Sequence, residues 1–489
     1  MNLRNKRVIG MCMALFGLAA CGAPGDQMQA NNQTAPLEAE QPSVQLIENS
    51  EVTVQVDMRA DGVWRVDYVF ATPQTSLGFS RSIGDYRRKS WQALGETPSI
   101  SRENRSDLIV FDAPSTHASF TVEPWSERLP RDYTPFLKFS DGQGAIFLDQ
   151  FLLEAVTDTE PTNTQTDEDT VRESLTTGIR LMSAHPILLD GSVQDGTIER
   201  LIAEDEQVYA YVGALALEEG KSYVGVLDPG LPEHILNTFD DDLAQVFAAY
   251  EDRWGFSLPE KATVYFAYGG AERQGWSSSG SVAGQSTMVL RVHGKALLEP
   301  DEDARRRLIW FFAHEAAHMF QQVSGVRVGS NQQAWWHEGS ADAMAHDVLR
   351  ELGIASDAFL RKTYRQRIDT CGVAIEERTL IGHRGKIPYI CGDLVAIAAD
   401  TALPDHSLYD IWNSYQGRAP EELDDDEIDA LFLETLSALG ASQKAVEAIG
   451  ALIQDKQENG RIAILSTFET VGIAYELDRY GSVISITLP

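Results

Sequence analysis

Basic residues, cysteines and long apolar runs are all scarce in this chain of 489 residues. Lys and Arg number 40 against 73 Asp and Glu, which gives a formal net charge of −33. A surface this acidic repels phosphate backbones, so we expect no nucleic-acid partner that binds a general basic face. Beyond the first 21 residues no segment approaches about 18 uncharged apolar residues, so the sequence predicts no transmembrane helix in the mature chain.

The N-terminus has the pattern of an export signal. Residues 1–7 form a short region with three basic residues, and residues 8–20 form an uncharged apolar run that is too short to span a bilayer as a permanent helix. The run ends in Leu-Ala-Ala-Cys, which resembles the lipobox of bacterial lipoproteins, where Cys21 would be lipidated and become the first mature residue. Gly22 follows, which favours the outer membrane, facing the periplasm, with membrane contact through the lipid anchor only. The alternative is an ordinary secretory signal with an incidental cysteine.

The chain contains only four cysteines, and two of them belong to the export signal. Cys12 would leave with the signal and Cys21 would carry lipid, so Cys371 and Cys391 remain as a pair. In an oxidising compartment this pair predicts a disulfide. Two free buried thiols are the alternative, and a zinc-binding pair is a weaker one because neither cysteine lies in a Cys-x-x-Cys motif.

The length of the chain and its changing periodicity predict an α+β protein of several parts. Residues 1–21 are the signal, and the polar residues 22–43 are a flexible tether. Residues 44–230 have short Val-, Phe- and Tyr-rich runs that predict a β-sandwich-like domain. In residues 231–489 apolar residues first recur at three- and four-residue steps, and this pattern, with the segments that follow, predicts a mainly helical domain. The Gly- and Ser-rich segment 269–284 is expected to be a plain surface loop or a mobile lip over a site.

The sequence His314-Glu315-Ala316-Ala317-His318 is a His-Glu-x-x-His motif in a buried helix. Residues 308–320 contain no Gly or Pro, and apart from His314, Glu315 and His318 they are apolar or Ala. Two histidines four residues apart share one helix face, where their imidazoles can chelate one zinc ion. Glu315 projects beside them and can accept a proton from water. The alternative is a core helix with hydrogen-bonded histidines.

A third ligand is suggested by a resemblance that begins at Trp335-Trp-His-Glu-Gly-Ser-Ala341. This segment resembles the Trp-x-x-Glu-Gly-x-Ala motif of gluzincin, thermolysin-like metallopeptidases, which include the aminopeptidase N and glycyl aminopeptidase families. The resemblance implies a thermolysin-like catalytic domain, Glu338 as the third ligand and one Zn²⁺ per chain. It also implies that Asp342 orients His314; a simple surface carboxylate is the alternative for Asp342.

Two further histidines compete for the site. His337 adjoins Glu338, but adjacent helix residues do not face the same way. His346 lies four residues after Asp342 and could approach the site. For both we favour a hydrogen-bonded or exposed histidine over a ligand. The metzincin pattern is not present, because Gln321 and Ser324 stand where its Gly and third His belong.

The segment Pro388-Tyr-Ile-Cys-Gly-Asp393 resembles the Tyr-Glu-Lys-Gly helix of the aminopeptidase N family. In that family the tyrosine donates a hydrogen bond to the developing oxyanion, a role that would fall to Tyr389. Ile390 and Cys391 replace the Glu and Lys of the pattern, and a core tyrosine is the alternative. The chain has no Gly-x-Met-Glu-Asn segment, which in those relatives reads the free amine of the substrate. The resemblance therefore does not imply aminopeptidase specificity.

Together these features predict a lipid-anchored zinc metallopeptidase of the bacterial cell envelope that acts on a peptide or protein substrate. A binding or scaffold lipoprotein with a degenerate or structural zinc site is the alternative from another class. An intact Glu315 counts against it, because a structural site needs no base. A zinc hydrolase that acts on a non-peptide amide or ester also remains open.

Overall fold

The computed structural model describes residues 44–59, 62–95, 98–129, 133–158, 170–203, 206–214, 217–323, 334–420, 423, 427–481 and 483–487. The predicted signal peptide, Cys21 and the tether at 22–43 lie outside these residues. Among the described helices, none is at once long enough and apolar enough to cross a membrane.

The N-terminal half of the described chain is built of strands, with one short helix, α1 (Tyr86–Ser90), and a 3-10 turn at Leu148–Phe151. The strands are β1 (Val52–Met58), β2 (Trp64–Phe79), β3 (Trp91–Ala93), β4 (Ser99–Glu103), β5 (Ser106–Val122), β6 (Phe136–Lys138), β7 (Gly144–Phe147), β8 (Leu153–Asp158), β9 (Thr170–Ser174), β10 (Thr177–Ser183), β11 (Ile187–Leu189), β12 (Ser192–Gln194), β13 (Thr197–Ile202) and β14 (Tyr209–Val212).

These strands form two sheets that share one apolar core. The first has the order β13-β10-β1-β2-β5-β3, with β4, β8 and β9 attached beside this path, and the second has the order β12-β11-β14-β7-β6. Along β1, Val54 and Val56 are buried while Gln55 between them is partly exposed, as expected where one sheet face is packed. The core includes Ile146 and Ala210 of the second sheet, so the two sheets pack as a sandwich.

A third sheet begins the C-terminal part of the described chain. Its strands are β15 (Leu217–Glu219), β16 (Tyr223–Leu227), β17 (Ala262–Tyr268), β18 (Ser277–Ala283) and β19 (Thr287–His293), in the order β15-β16-β17-β19-β18. The apolar stripe after residue 231 forms α2 (Glu233–Trp254), which connects the parallel strands β16 and β17. The Gly- and Ser-rich segment 269–284 is not only a loop, because residues 277–283 pair antiparallel with β19 as an edge strand. Pairing along the whole of β19 outweighs the low strand propensity of this segment.

The rest of the described chain is mainly helical, with 3-10 turns at Lys295–Leu297 and Leu380–Gly382. The helices are α3 (Glu302–Gln321), α4 (Ala334–Glu351), α5 (Asp357–Glu377), α6 (Ile387–Thr401), α7 (Leu408–Gln416), α8 (Ile428–Ala438), α9 (Gln443–Gln454) and α10 (Gly460–Val471). A small hairpin of β20 (Tyr475–Leu477) and β21 (Val483–Ile486) follows. The predicted α+β fold class, a β-rich N-terminal domain followed by a mainly helical C-terminal domain, is confirmed.

Two local features hold the helices of the site in place. The side chain of Asp301 accepts a hydrogen bond of 2.7 Å from the backbone N–H of Ala304, so it caps the N-terminus of α3. Cys371 of α5 and Cys391 of α6 form a disulfide, as the sequence predicts. The bridge ties together two helices that both contribute to the candidate site.

Candidate metal centre

Helix α3 presents the His-Glu-x-x-His motif on its buried face. His314, Glu315 and His318 are all buried, with 5–7% of each residue exposed. The two imidazole rings lie edge to face with centroids 4.8 Å apart, and their Nε2 atoms are 3.2 Å apart. A helix produces this geometry because residues four apart lie one turn above each other.

Helix α4 brings Glu338 to the same point. Its Oε2 atom lies 3.3 Å from Nε2 of His314 and 3.2 Å from Nε2 of His318. In the part of the chain that the structure describes, this is the one group of three or more potential metal ligands that converge. For ligand atoms at zinc–nitrogen and zinc–oxygen distances, the edge of a tetrahedron is roughly 3.3–3.4 Å. The three ligand atoms therefore have the spacing that one zinc ion requires.

The other nitrogen of each imidazole also has a partner. Nδ1 of His314 lies 2.8 Å from Oδ1 of Asp342, a close ionic contact without an aligned hydrogen bond. Nδ1 of His318 is hydrogen-bonded to Oε1 of Gln321 at 2.8 Å. An acceptor beside each Nδ1 keeps a proton on that atom, so an Nε2 atom that gives up its own proton would direct its lone pair at the ligand position. Asp342 thus lies where the resemblance places it.

Gln321 is a residue whose role in the site the sequence does not predict. Its amide nitrogen donates a 2.9 Å hydrogen bond to the hydroxyl of Ser340 on α4, while its oxygen faces His318. Gln321 therefore links the two helices that carry the candidate ligands, and it also orients an imidazole. Its position three residues after His318, on the same helix face, is the signal that could have identified it.

The electrostatics of the three ligands favour a positive charge at their meeting point. Burial lowers the pKa of His314, but the carboxylates of Asp342 and Glu338 outweigh burial and raise this pKa well above its ordinary value. Burial raises the pKa of Glu338, but His318 and the hydrogen bonds from both imidazoles hold it well below its ordinary range. A proton shared at this point can be replaced by a metal cation.

Two glycines set the distance between α4 and α6. A Cβ atom on Gly339 would lie 2.7 Å from the backbone nitrogen of Asp393, and one on Gly392 would lie 2.9 Å from Cα of Gly339. Only glycine allows the two helix backbones to approach this closely. Tyr389 is one turn before Gly392, and Glu338 adjoins Gly339, so this contact brings the tyrosine to the metal ligands.

Tyr389 lies beside the site. Its ring stacks on His314 with a centroid distance of 5.8 Å. Burial, together with the charge and a hydrogen bond of Glu338, raises the pKa of its hydroxyl above the ordinary value. The hydroxyl therefore stays protonated and can donate a hydrogen bond, as the predicted role requires.

Glu315 lies against the edge strand of the third sheet. A Cβ atom on Gly280 of β18 would lie 2.7 Å from Oε1 of Glu315 and 2.6 Å from the ring of Phe311. Gly280 therefore provides the space that the Glu315 carboxylate occupies, a role that the sequence does not reveal. Burial raises the pKa of Glu315, although the charges of His314 and His318 act to lower it.

The two competing histidines lie near the ligands without joining them. The ring of His337, the residue before Glu338, stacks on the ring of His318 with centroids 4.1 Å apart. Burial and the charge of His318 lower the pKa of His337 to about 3, so it is neutral. His346 is buried, and its Nδ1 lies 3.3 Å from Oδ2 of Asp393. Both histidines pack around the site.

A buried His-Glu-x-x-His helix, a following helix that supplies a glutamate, and an edge strand beside them form a gluzincin-like arrangement. No protein-family model and no curated protein matches the sequence. Among solved structures, the chain is similar to an aminopeptidase N family protein from Idiomarina loihiensis, with a TM-score of 0.62 and 13% identity, over 88% of this chain and 81% of that chain. The predicted resemblance in fold is therefore confirmed.

Two further solved structures match at lower similarity. One is yeast LTA4 hydrolase in complex with bestatin, with a TM-score of 0.46 and 12% identity, over 83% of this chain and 67% of that chain. The other is an M1 zinc metallopeptidase from Deinococcus radiodurans, with a TM-score of 0.43 and 13% identity, over 83% of this chain and 94% of that chain. At these TM-scores the matches add nothing to the fold assignment.

Proposed function

We propose that the protein is a zinc-dependent peptidase in which His314, His318 and Glu338 hold one zinc ion per chain. The observation that carries this proposal is the mutual spacing of the three ligand atoms, 3.2–3.3 Å, with a buried Glu315 next to them. Bound zinc supplies Lewis acidity, which polarises a carbonyl group and acidifies water. The fold of an aminopeptidase N family protein supports the same reading.

The residues of the chain have distinct tasks in peptide hydrolysis. Glu315 accepts a proton from the attacking water and later delivers it to the leaving nitrogen. Its burial raises the pKa of the carboxyl group above the ordinary value, which strengthens Glu315 as a proton acceptor. Tyr389 keeps its proton and donates a hydrogen bond to the oxyanion that develops on the carbonyl oxygen.

The position of β18 supports a peptide as the substrate. This strand is at the edge of the third sheet, and its Gly280 is next to Glu315. An extended peptide can add to such an edge through main-chain hydrogen bonds, and the scissile bond would then lie near the base. A small non-peptide ester would make no use of this edge.

The Glu315→Gln variant tests the function. It keeps the size of the side chain and a hydrogen-bonding end but removes the base. We expect zinc content near one per chain, while hydrolysis of a peptide library falls by roughly two to four orders of magnitude. Glu302→Gln, an exposed change in the first turn of the same helix, is the matched control.

Three results would contradict the proposal. Loss of zinc and activity together in Glu315→Gln would make Glu315 structural. Full activity in that variant would place the reaction elsewhere. Wild-type protein without zinc under metal-replete conditions would favour a scaffold lipoprotein with a degenerate site.

We also propose that Cys21 carries a lipid that anchors the protein to the bacterial cell envelope, at the outer membrane and facing the periplasm. The lipobox-like Leu-Ala-Ala-Cys segment supports this location, and the disulfide between Cys371 and Cys391 is typical of an oxidising compartment. Cys21→Ala should abolish incorporation of labelled fatty acid and release the protein from membranes, whereas Cys12→Ala should not. Continued labelling of the Cys21→Ala variant would refute the anchor.

A further inference from the structure

Arg367 lies on α5, behind the metal centre, and its side chain is only 12% exposed. Its guanidinium contacts groups on two other helices. It forms ion pairs with Oδ2 of Asp342 at 2.8 Å and with Oδ2 of Asp393 at 2.7 Å. It also donates a 3.3 Å hydrogen bond to the backbone carbonyl oxygen of Tyr389. One side chain therefore bridges α4 and α6.

Each of these contacts leads to a functional group. Asp342 is the carboxylate that lies 2.8 Å from Nδ1 of the metal ligand His314. The carbonyl oxygen of Tyr389 belongs to the residue whose hydroxyl would serve the oxyanion. Asp393 is fully buried on α6, one turn after Tyr389. Arg367 thus touches neither substrate nor metal but contacts the supports of both.

We propose that Arg367 is a positioning residue that sets the orientation of His314, through Asp342, and the position of Tyr389, through its carbonyl group and Asp393, with a single guanidinium. This inference rests on the proposed zinc-dependent function. Arg367 lies outside every motif named above.

The charge balance shows why an arginine is required. Asp342 and Asp393 are both buried, and a buried carboxylate without a partner is costly. A guanidinium has five N–H groups in a planar fork and can serve two carboxylates and a carbonyl group at once. The ammonium group of lysine is a compact point charge at the end of an unbranched alkyl chain. It can therefore neutralise one carboxylate but cannot hold both carboxylates in position.

The surrounding contacts hold Arg367 and Asp393 themselves in place. The hydroxyl of Tyr364, on α5, donates a 3.1 Å hydrogen bond to Oδ1 of Asp393. The disulfide joins Cys371, one turn after Arg367, to Cys391, two residues before Asp393. The bridge therefore limits the separation of α5 and α6 at the level where Arg367 spans them.

The test compares Arg367→Lys with Arg365→Lys, a matched change at an exposed arginine of the same helix. Three quantities are measured: the zinc dissociation constant by chelator competition, kcat and KM for a peptide substrate, and the thermal unfolding temperature of the zinc-free protein. We expect Arg367→Lys to weaken zinc binding about 10–100-fold and to lower kcat by a similar factor with KM nearly unchanged. Arg365→Lys should match the wild type.

Two results would overturn the proposal. In the first, the zinc affinity and the kcat of Arg367→Lys both lie within about twofold of the values for Arg365→Lys. The other is a lower unfolding temperature with unchanged zinc affinity, because that is the signature of a merely structural residue. If Arg367→Lys does not fold, Asp393→Asn replaces it: it keeps the volume, weakens one arm of the bridge, and must reduce kcat more than zinc affinity. Failure of the wild type to bind zinc would instead refute the proposed function.

Discussion

Substituting Gly392 with alanine should separate α4 from α6 and displace Tyr389. The added Cβ would lie 2.8 Å from the carbonyl carbon of Trp335 and 2.9 Å from Cα of Gly339, whereas ordinary van der Waals contact begins at 3.4 Å. The helices must therefore move apart by at least 3.4 − 2.8 = 0.6 Å, and by more because the carbonyl oxygen of Trp335 lies closer still. All of the clashing atoms except the new methyl group are backbone, so no side chain can turn away to relieve the contact.

The expected cost has two parts. Overpacking of this kind destabilises a protein by about 1–3 kcal/mol. A displacement approaching 1 Å at a catalytic group costs up to roughly 100-fold in rate, so we expect kcat to fall by about 10–100-fold. Zinc content should change little, because all three ligands lie on α3 and α4, on one side of the contact.

The assay is the thermal unfolding temperature together with kcat and zinc content. Gly417→Ala is the control, because the added Cβ there comes no closer than 3.4 Å to any neighbour and the backbone is helical. A Gly392→Ala variant with wild-type stability and kcat would refute the reasoning that the glycine contact places Tyr389.

Two further predictions follow from single positions. Gly280→Ala should keep zinc bound but lower kcat about 10–100-fold, because the methyl group would occupy the space of Glu315. Gly275→Ala, at a glycine with open space around it, is the control, and an unchanged kcat in Gly280→Ala would contradict the prediction. Burial raises the pKa of Asp400 to about 6, above its ordinary 3.8, so the ionisation of this half-buried carboxyl group contributes a loss of stability as the pH rises from about 4 to about 6. Asp400→Asn should therefore be more stable than the wild type by about 1–3 kcal/mol at pH 7–8, and in urea unfolding this difference should vanish below about pH 3; the exposed change Asp405→Asn is the control.

Several parts of the site could be predicted from residue type and spacing because they depend on local geometry. His314, Glu315 and His318 lie within one turn of a helix whose apolar neighbours indicate burial, and helical spacing alone brings the two imidazoles together. Glu338 and Tyr389 were reached through the resemblance of short segments to known motifs. The α+β class could be predicted because the apolar periodicity changes from two residues to between three and four along the chain.

The segment 269–284 shows the limit of local reasoning. Its glycines and serines favour a loop, and no local signal indicates that Ser277–Ala283 would pair with β19 as an edge strand. The partner strand provides the hydrogen bonds, and a strand held mainly by pairing has only a weak signature in its own residues. For the same reason the role of Gly280 beside Glu315 was not predictable.

Residue type and local spacing specify the chemistry: which side chains can bind a metal, which can move a proton, and that a helix holds most of them. Helix packing is what places two of their supports, because Gly392 and Arg367 act on groups that come from other helices. Arg367 is 25 residues from Asp342 and 26 from Asp393, a separation at which no helical or strand period relates two residues. Contacts of that range are set by how complete helices pack, and packing depends on the whole core rather than on any one segment.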